Sequence, residues 1–70
     1  MTTAIMISVN GESRETKTGT TVSTLVGELG LDAGRVAVER NLEILPRPLW
    51  PATQVVAGDR YEIVQFVGGG

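Results

Sequence analysis

Residues 4–31 read AIMISVNGESRETKTGTTVSTLVGELGL, and two periodicities meet within them. From Ala4 to Val9, the apolar residues Ile5, Ile7 and Val9 alternate with Met6 and Ser8, the period of a half-buried strand. Asn10-Gly11 follows at once, a pair that tolerates the positive φ angles of a tight hairpin turn. Arg14 to Lys17 reads as a polar return strand at a sheet edge, where its charges discourage pairing with a neighbouring molecule. At Thr21 the period changes. Val22, Leu25, Val26 and Leu29 recur at i, i+3, i+4 and i+7, one apolar face of a helix. Thr20 or Thr21 supplies the N-cap hydroxyl, and Gly30-Leu31 the glycine and hydrophobic contact of a left-handed C-cap. Gly27 interrupts the helix, reflecting either close packing or tolerance at an exposed position.

Beyond the helix, Val36-Ala37-Val38 predicts a strand, Arg40-Asn41-Leu42 a turn and Glu43-Ile44-Leu45 a short strand that Pro46 stops. Pro46, Pro48 and Pro51 bracket Leu49-Trp50, so this stretch predicts loop or a single short turn. Trp50 is expected to plug the underside of the core. Ala57-Gly58-Asp59 is a further turn, and Arg60 to Val67 the last strand. The order strand, strand, helix, strand, short strand, loop, strand gives an α+β roll, with one helix packed across one face of a mixed β-sheet. The last strand carries apolar residues on both faces. With Tyr61 and Ile63 inward, Val64 and Phe66 stay on the open face and, with Val67, form a candidate partner-binding patch. Arg40 and Arg47 read as solvated charges, with contacts at the rim of such a patch as the alternative.

Composition narrows the chemistry. The chain of 70 residues has no cysteine and no histidine, which removes disulfides, thiolate metal clusters and nucleophilic triads. Six Lys+Arg stand against eight Asp+Glu, for a net charge of −2. The basic residues are scattered, so neither nucleic acid nor an anionic membrane is an expected partner. No apolar run reaches the roughly 20 residues of a membrane span. The N-terminal residues lack a charged secretory n-region, and a cytoplasmic location is expected.

The sequence closes on Phe66-Val67-Gly68-Gly69-Gly70. Three glycines are narrow and conformationally free, so such a tail can enter a tunnel in another protein. A terminal carboxylate is ionised at neutral pH and must be activated before it can act as an acyl donor. Attack on the α-phosphate of ATP would give an acyl-adenylate. The chain has no phosphate-binding loop for that step, so the activity is expected in a partner, with this chain as its substrate.

These features coincide with a known pattern. The chain resembles the thiamin-biosynthesis sulfur carrier proteins, small ubiquitin-like proteins of the β-grasp fold. The resemblance runs nearly end to end: Val9-Asn10-Gly11-Glu12, Thr21-Val22, Leu29-Gly30-Leu31, Val36 to Asn41, Glu43-Ile44, Pro46-Arg47, Trp50, Gly58-Asp59, Glu62-Ile63-Val64 and Phe66 to Gly70. It implies a β-grasp domain over residues 1–67 and a flexible glycine tail over 68–70. It also implies that Gly70 is adenylated by an E1-like adenylyltransferase using ATP and Mg²⁺, neither of them held by this chain. The adenylate would become a thiocarboxylate with sulfur from a donor such as a cysteine desulfurase. Thiazole synthase would then receive the sulfur. Two other uses of the same tail stay open at this point: conjugation to a lysine of a target protein, and sulfur supply for molybdopterin. Independently of the resemblance, methionine thioethers cannot be transferred and no cysteine exists, so the C-terminal carbon is the credible place for sulfur.

Overall fold

A computed structural model describes residues 3–66. Strands β1 (Ala4–Val9), β2 (Glu12–Lys17), β3 (Val36–Arg40), β4 (Glu43–Ile44) and β5 (Arg60–Gln65) form one sheet, crossed by helix α1 (Val22–Glu28). The strand order is β2-β1-β5-β3-β4, with β1 and β5 parallel at the centre and the other pairs antiparallel. The mixed sheet with one main helix is thus the architecture expected, and β2 lies at an edge.

Helix α1 starts as its residues dictate. Thr21 is extended, and its hydroxyl accepts the Thr24 N–H at 3.2 Å. At the other end Gly30 takes φ +74°, Gly30 N–H reaches Gly27 O at 3.0 Å and Leu31 N–H reaches Val26 O at 3.3 Å. That is the paired 5→2 and 6→1 closure of a Schellman motif. Val22, Leu25 and Val26 are fully buried against Ile7, Val36, Val38, Tyr61 and Ile63. Gly27 faces solvent, and a Cβ placed on it meets nothing within 4 Å. Of its two readings, tolerance at an exposed position is therefore correct. Gly27→Ala is expected to stabilise the fold by about 1 kcal/mol, seen as a rise of roughly 4–8 °C in a thermal melt.

Several expectations need correction. The proline-rich stretch is not a single short turn but a 3-10 helix from Arg47 to Ala52. Pro46 caps it and Pro48 sits near its start, where a missing N–H costs little. Trp50 is buried as expected, with its indole N–H on Leu45 O at 3.0 Å. Residues 33–35, for which no element was expected, form a second 3-10 segment capped by the Asp32 carboxylate on Gly34 N–H at 2.9 Å. The last strand stops at Gln65 rather than Val67. Its partner β3 begins at Val36 opposite Gln65, and Phe66 N–H turns instead to Arg35 O at 2.7 Å. Thr53 to Val56, for which no element was expected, lies against the helix entrance through Val22 N–H to Thr53 O and Val55 N–H to Thr20 O. Val55 is buried there.

The turns show one anomaly. Asn41 and Leu42 adopt φ of 52° and 72° in the β3–β4 hairpin. Asparagine tolerates this region, but a leucine there costs roughly 1–2 kcal/mol. The Leu42 side chain is 72% exposed, so no burial offsets the strain.

Candidate functional site

The sheet has one covered and one open face. Register places Ala37 opposite Val64 and Val38 opposite Ile63, so the buried Val38 and Ile63 fix Ala37 and Val64 outward. Val64 is 58% and Phe66 51% exposed, as their position on the open side of the last strand predicts. Ile44 of β4 is 77% exposed and extends the same apolar strip. Sequence reasoning missed Ile44, although its alternation with the half-buried Leu45 carried the signal; the edge strand itself stops at Ile44, one residue short of the Leu45 expected. Glu39 lies opposite both Ile44 and Glu62, forming one row across three strands. Val67, Gly68, Gly69 and Gly70, named above as patch and tail, lie outside the described residues.

The position of β5 depends on two side chains. Asn10 N–H bonds to Tyr61 O at 2.9 Å, and its side chain then takes over where β1 turns away. Asn10 Oδ1 accepts the Ile63 N–H at 2.8 Å and Nδ2 donates to Ile63 O at 3.2 Å. One amide thereby continues the ladder for a strand that has ended.

Asp59 fixes the other end. Its carboxylate accepts from Tyr61 hydroxyl at 2.8 Å, Val56 N–H at 2.9 Å, Arg40 Nε at 3.1 Å and Asn41 Nδ2 at 3.1 Å. Burial pushes the Asp59 carboxyl up, but the Val56 N–H, Asn41, Tyr61 and Arg40 together outweigh it and hold it below the usual value. Burial, aided by Asp59, pushes the Tyr61 hydroxyl up to about 12.

Both arginines singled out above are engaged by the fold, Arg40 half-buried and Arg47 while still exposed to solvent as expected. Arg40 belongs to the Asp59 cluster. Arg47 donates to Ala33 O at 2.9 Å and Val36 O at 3.1 Å and stacks over Trp50, with 5.4 Å to the ring centroid. The reason is geometric: β4 pairs only with Glu39 and Arg40, leaving the start of β3 without a strand neighbour on the side away from β5, and the guanidinium fills that edge. Among the described residues no group of three or more Asp or Glu could hold a metal ion. No described helix is long and apolar enough to cross a membrane.

The geometry and the sequence have known counterparts. The model of the ThiS family matches residues 7–70. A sulfur carrier protein ThiS from Bacillus subtilis is 36% identical, covering 93% of this chain and all of the relative. A thiazole synthase from Paramagnetospirillum magneticum is 52% identical over 62 residues. That match covers 89% of this chain but only 19% of the relative, so the chain spans about a fifth of the curated thiazole synthase's length. The crystal structure of a thiamine biosynthesis protein (ThiS) from Geobacter metallireducens superposes with a TM-score of 0.76 at 37% identity, covering 94% of this chain and all of that one. On these grounds, and with a helix lying across a mixed five-stranded sheet in the ubiquitin-like β-grasp manner, the chain belongs to the ThiS family.

Proposed function

We propose that this protein carries sulfur for thiamin biosynthesis on the carboxyl group of Gly70. The observation that carries the reading is the end-to-end likeness to a curated sulfur carrier, at 36% identity over that relative's entire length. The residue inventory supports it, because a chain without cysteine has no thiol side chain to hold transferable sulfur, and without histidine it lacks the commonest neutral-pH base.

The chemistry runs as acyl activation. A carboxylate oxygen of Gly70 attacks the α-phosphorus of ATP and pyrophosphate leaves, giving an acyl-adenylate. The terminal sulfur of a donor persulfide then adds to the acyl carbon and AMP departs, giving an acyl disulfide; a thiol of the partner enzymes attacks the donor-side sulfur, forming a disulfide there and releasing the thiocarboxylate. ATP and Mg²⁺ belong to an E1-like adenylyltransferase, the sulfur to a donor such as a cysteine desulfurase, and the acceptor is thiazole synthase. In this reading the chain is a protein substrate and not itself a catalyst. Gly68 and Gly69 give the tail its narrow profile, since neither carries a Cβ to collide with a tunnel wall.

The exposed Val64 and Phe66 at the end of β5 are assigned to docking on the activating enzyme. Pyrophosphate exchange catalysed by that enzyme tests this assignment. Phe66→Asp should raise the chain concentration needed for half-maximal exchange at least tenfold while leaving the thermal melt unchanged, because Phe66 is half exposed. Exchange indistinguishable from wild type would remove Phe66 from the docking surface.

A further inference from the structure

We propose that Asn10-Gly11 is a site of spontaneous deamidation, and that the hold of Asn10 on β5 is what keeps the reaction slow in the folded chain. The chemistry belongs to the dipeptide. The Gly11 backbone nitrogen loses its proton to solvent and attacks Cγ of Asn10. The bond from Cγ to Nδ2 breaks, ammonia leaves with a proton from water, and a five-membered succinimide closes. Water then opens the ring at either carbonyl, giving an aspartyl or an isoaspartyl residue. In sum, an amide and a water become a carboxylate and an ammonium ion, with no redox change. Glycine in the second place favours the attack, because no Cβ crowds the approaching nitrogen.

The fold leaves the nucleophile open and ties down the electrophile. Gly11 is exposed at φ +83°, and a Cβ placed on it meets nothing within 4 Å. Among the described residues no backbone acceptor takes its N–H. The Asn10 amide, by contrast, is bound at both ends. Oδ1 accepts the Ile63 N–H at 2.8 Å and Nδ2 donates to Ile63 O at 3.2 Å. These bonds draw the amide toward β5 on one side of β1, whereas Gly11 turns the chain into β2 on the other. Attack therefore requires both bonds to open together, a local opening that should slow the reaction roughly tenfold or more. Asn41 is an internal reference. It has a similar backbone conformation, φ 52°, but Leu42 follows it with a Cβ beside the nitrogen. Its amide is bound to Asp59 and to the Arg60 N–H.

The product cannot resume the hold. An ionised carboxylate only accepts hydrogen bonds, so its second oxygen would face Ile63 O where Nδ2 now donates. The isoaspartyl form also lengthens the turn by a backbone carbon. Either product loosens β5 at Ile63, the residue before Val64 of the docking pair. Deamidation thus removes the very contact that restrained it.

The test is ageing of the full wild-type chain at mildly alkaline pH, native and in guanidinium chloride, followed by peptide mass mapping. The peptide holding Asn10 should gain the mass difference between a hydroxyl and an amino group, at least tenfold faster when unfolded, with Asn41 unchanged over the same time. Equal rates in the two states overturn the restraint. No gain at Asn10 in the unfolded chain, or an earlier gain at Asn41, overturns the site. The aged chain, returned to native buffer and separated by its added negative charge, should melt lower and exchange the Ile63 amide proton at least tenfold faster than the unaged chain. A melt and an exchange rate that both stay unchanged overturn the loss of the hold.

Discussion

Asp59→Ala should leave most molecules close to unfolding at 37 °C. The substitution removes the carboxylate that accepts from four donors, the Tyr61 hydroxyl, the Val56 N–H, Arg40 Nε and Asn41 Nδ2, and of these Arg40 Nε keeps a second acceptor in the Tyr61 hydroxyl at 3.3 Å. Removing one partner of a buried ion pair costs about 3–5 kcal/mol. Arg40 keeps some contact with water, which argues for the lower end of that range. A domain of this length has only about 4–10 kcal/mol in total, so urea unfolding should show a midpoint near or below half the wild-type value. A midpoint within a tenth of wild type would contradict the role given to Asp59. The same cluster sets both pH limits. Asp59 titrates below its ordinary value in the fold, so its contribution is complete above the unfolded pKa of about 3.9 and is lost as pH falls through the lower folded value. Tyr61 titrates at about 12 in the fold, against about 10 unfolded. Its contribution is complete below about pH 10 and is lost as pH rises toward 12. The Asp59→Ala variant should lose the acid limb of this profile.

Deleting Gly70 should abolish pyrophosphate exchange by the activating enzyme, a larger effect than any change in the docking surface. The reason is positional. Adenylation requires the carboxylate oxygen within reach of the α-phosphorus in a fixed site. One residue of extended chain spans about 3.3 Å, and misplacement by 1 Å can already cost a factor of about 100. The melt should not change, because the sheet ends at Gln65. Full-rate exchange by the shortened chain would refute the assignment of chemistry to Gly70. Capping the Gly70 carboxyl as an amide is the matching control: it preserves length, removes the nucleophile and should be equally inactive.

The elements with a strong period were legible from residues alone. Alternation gave β1, the 3-4 spacing gave α1 with both its caps, and Asn10-Gly11 gave the first hairpin. Alternation also placed Val64 and Phe66 outward correctly. What escaped was the work of polar side chains acting over long sequence separations. Asn10 was legible as a turn residue, but its pairing with Ile63 lies 53 positions away. Asp59 was legible as a turn residue too, while its partners Arg40 and Asn41 become neighbours only once β3 lies against β5. The exposed Arg47 was legible as solvated but not as a partner of β3, because nothing local shows that one edge of β3 is left open by a two-residue β4. The 3-10 geometry at 47–52 was hidden by prolines, which exclude an α-helix but fit tighter turns. The tail is a different case: its candidate role comes from composition and family resemblance, and no packing argument bears on it.

The central claim is that sulfur rides on the last carboxyl carbon of this chain. The most direct measurement is intact-mass analysis, with sequencing of the C-terminal peptide, on protein isolated from cells making thiamin. The account predicts a population heavier by the difference between one sulfur and one oxygen, with the added mass confined to Gly70. It would be contradicted by a wild-type chain that carries only an unmodified carboxyl there, or that is recovered joined through Gly70 to lysines of larger proteins.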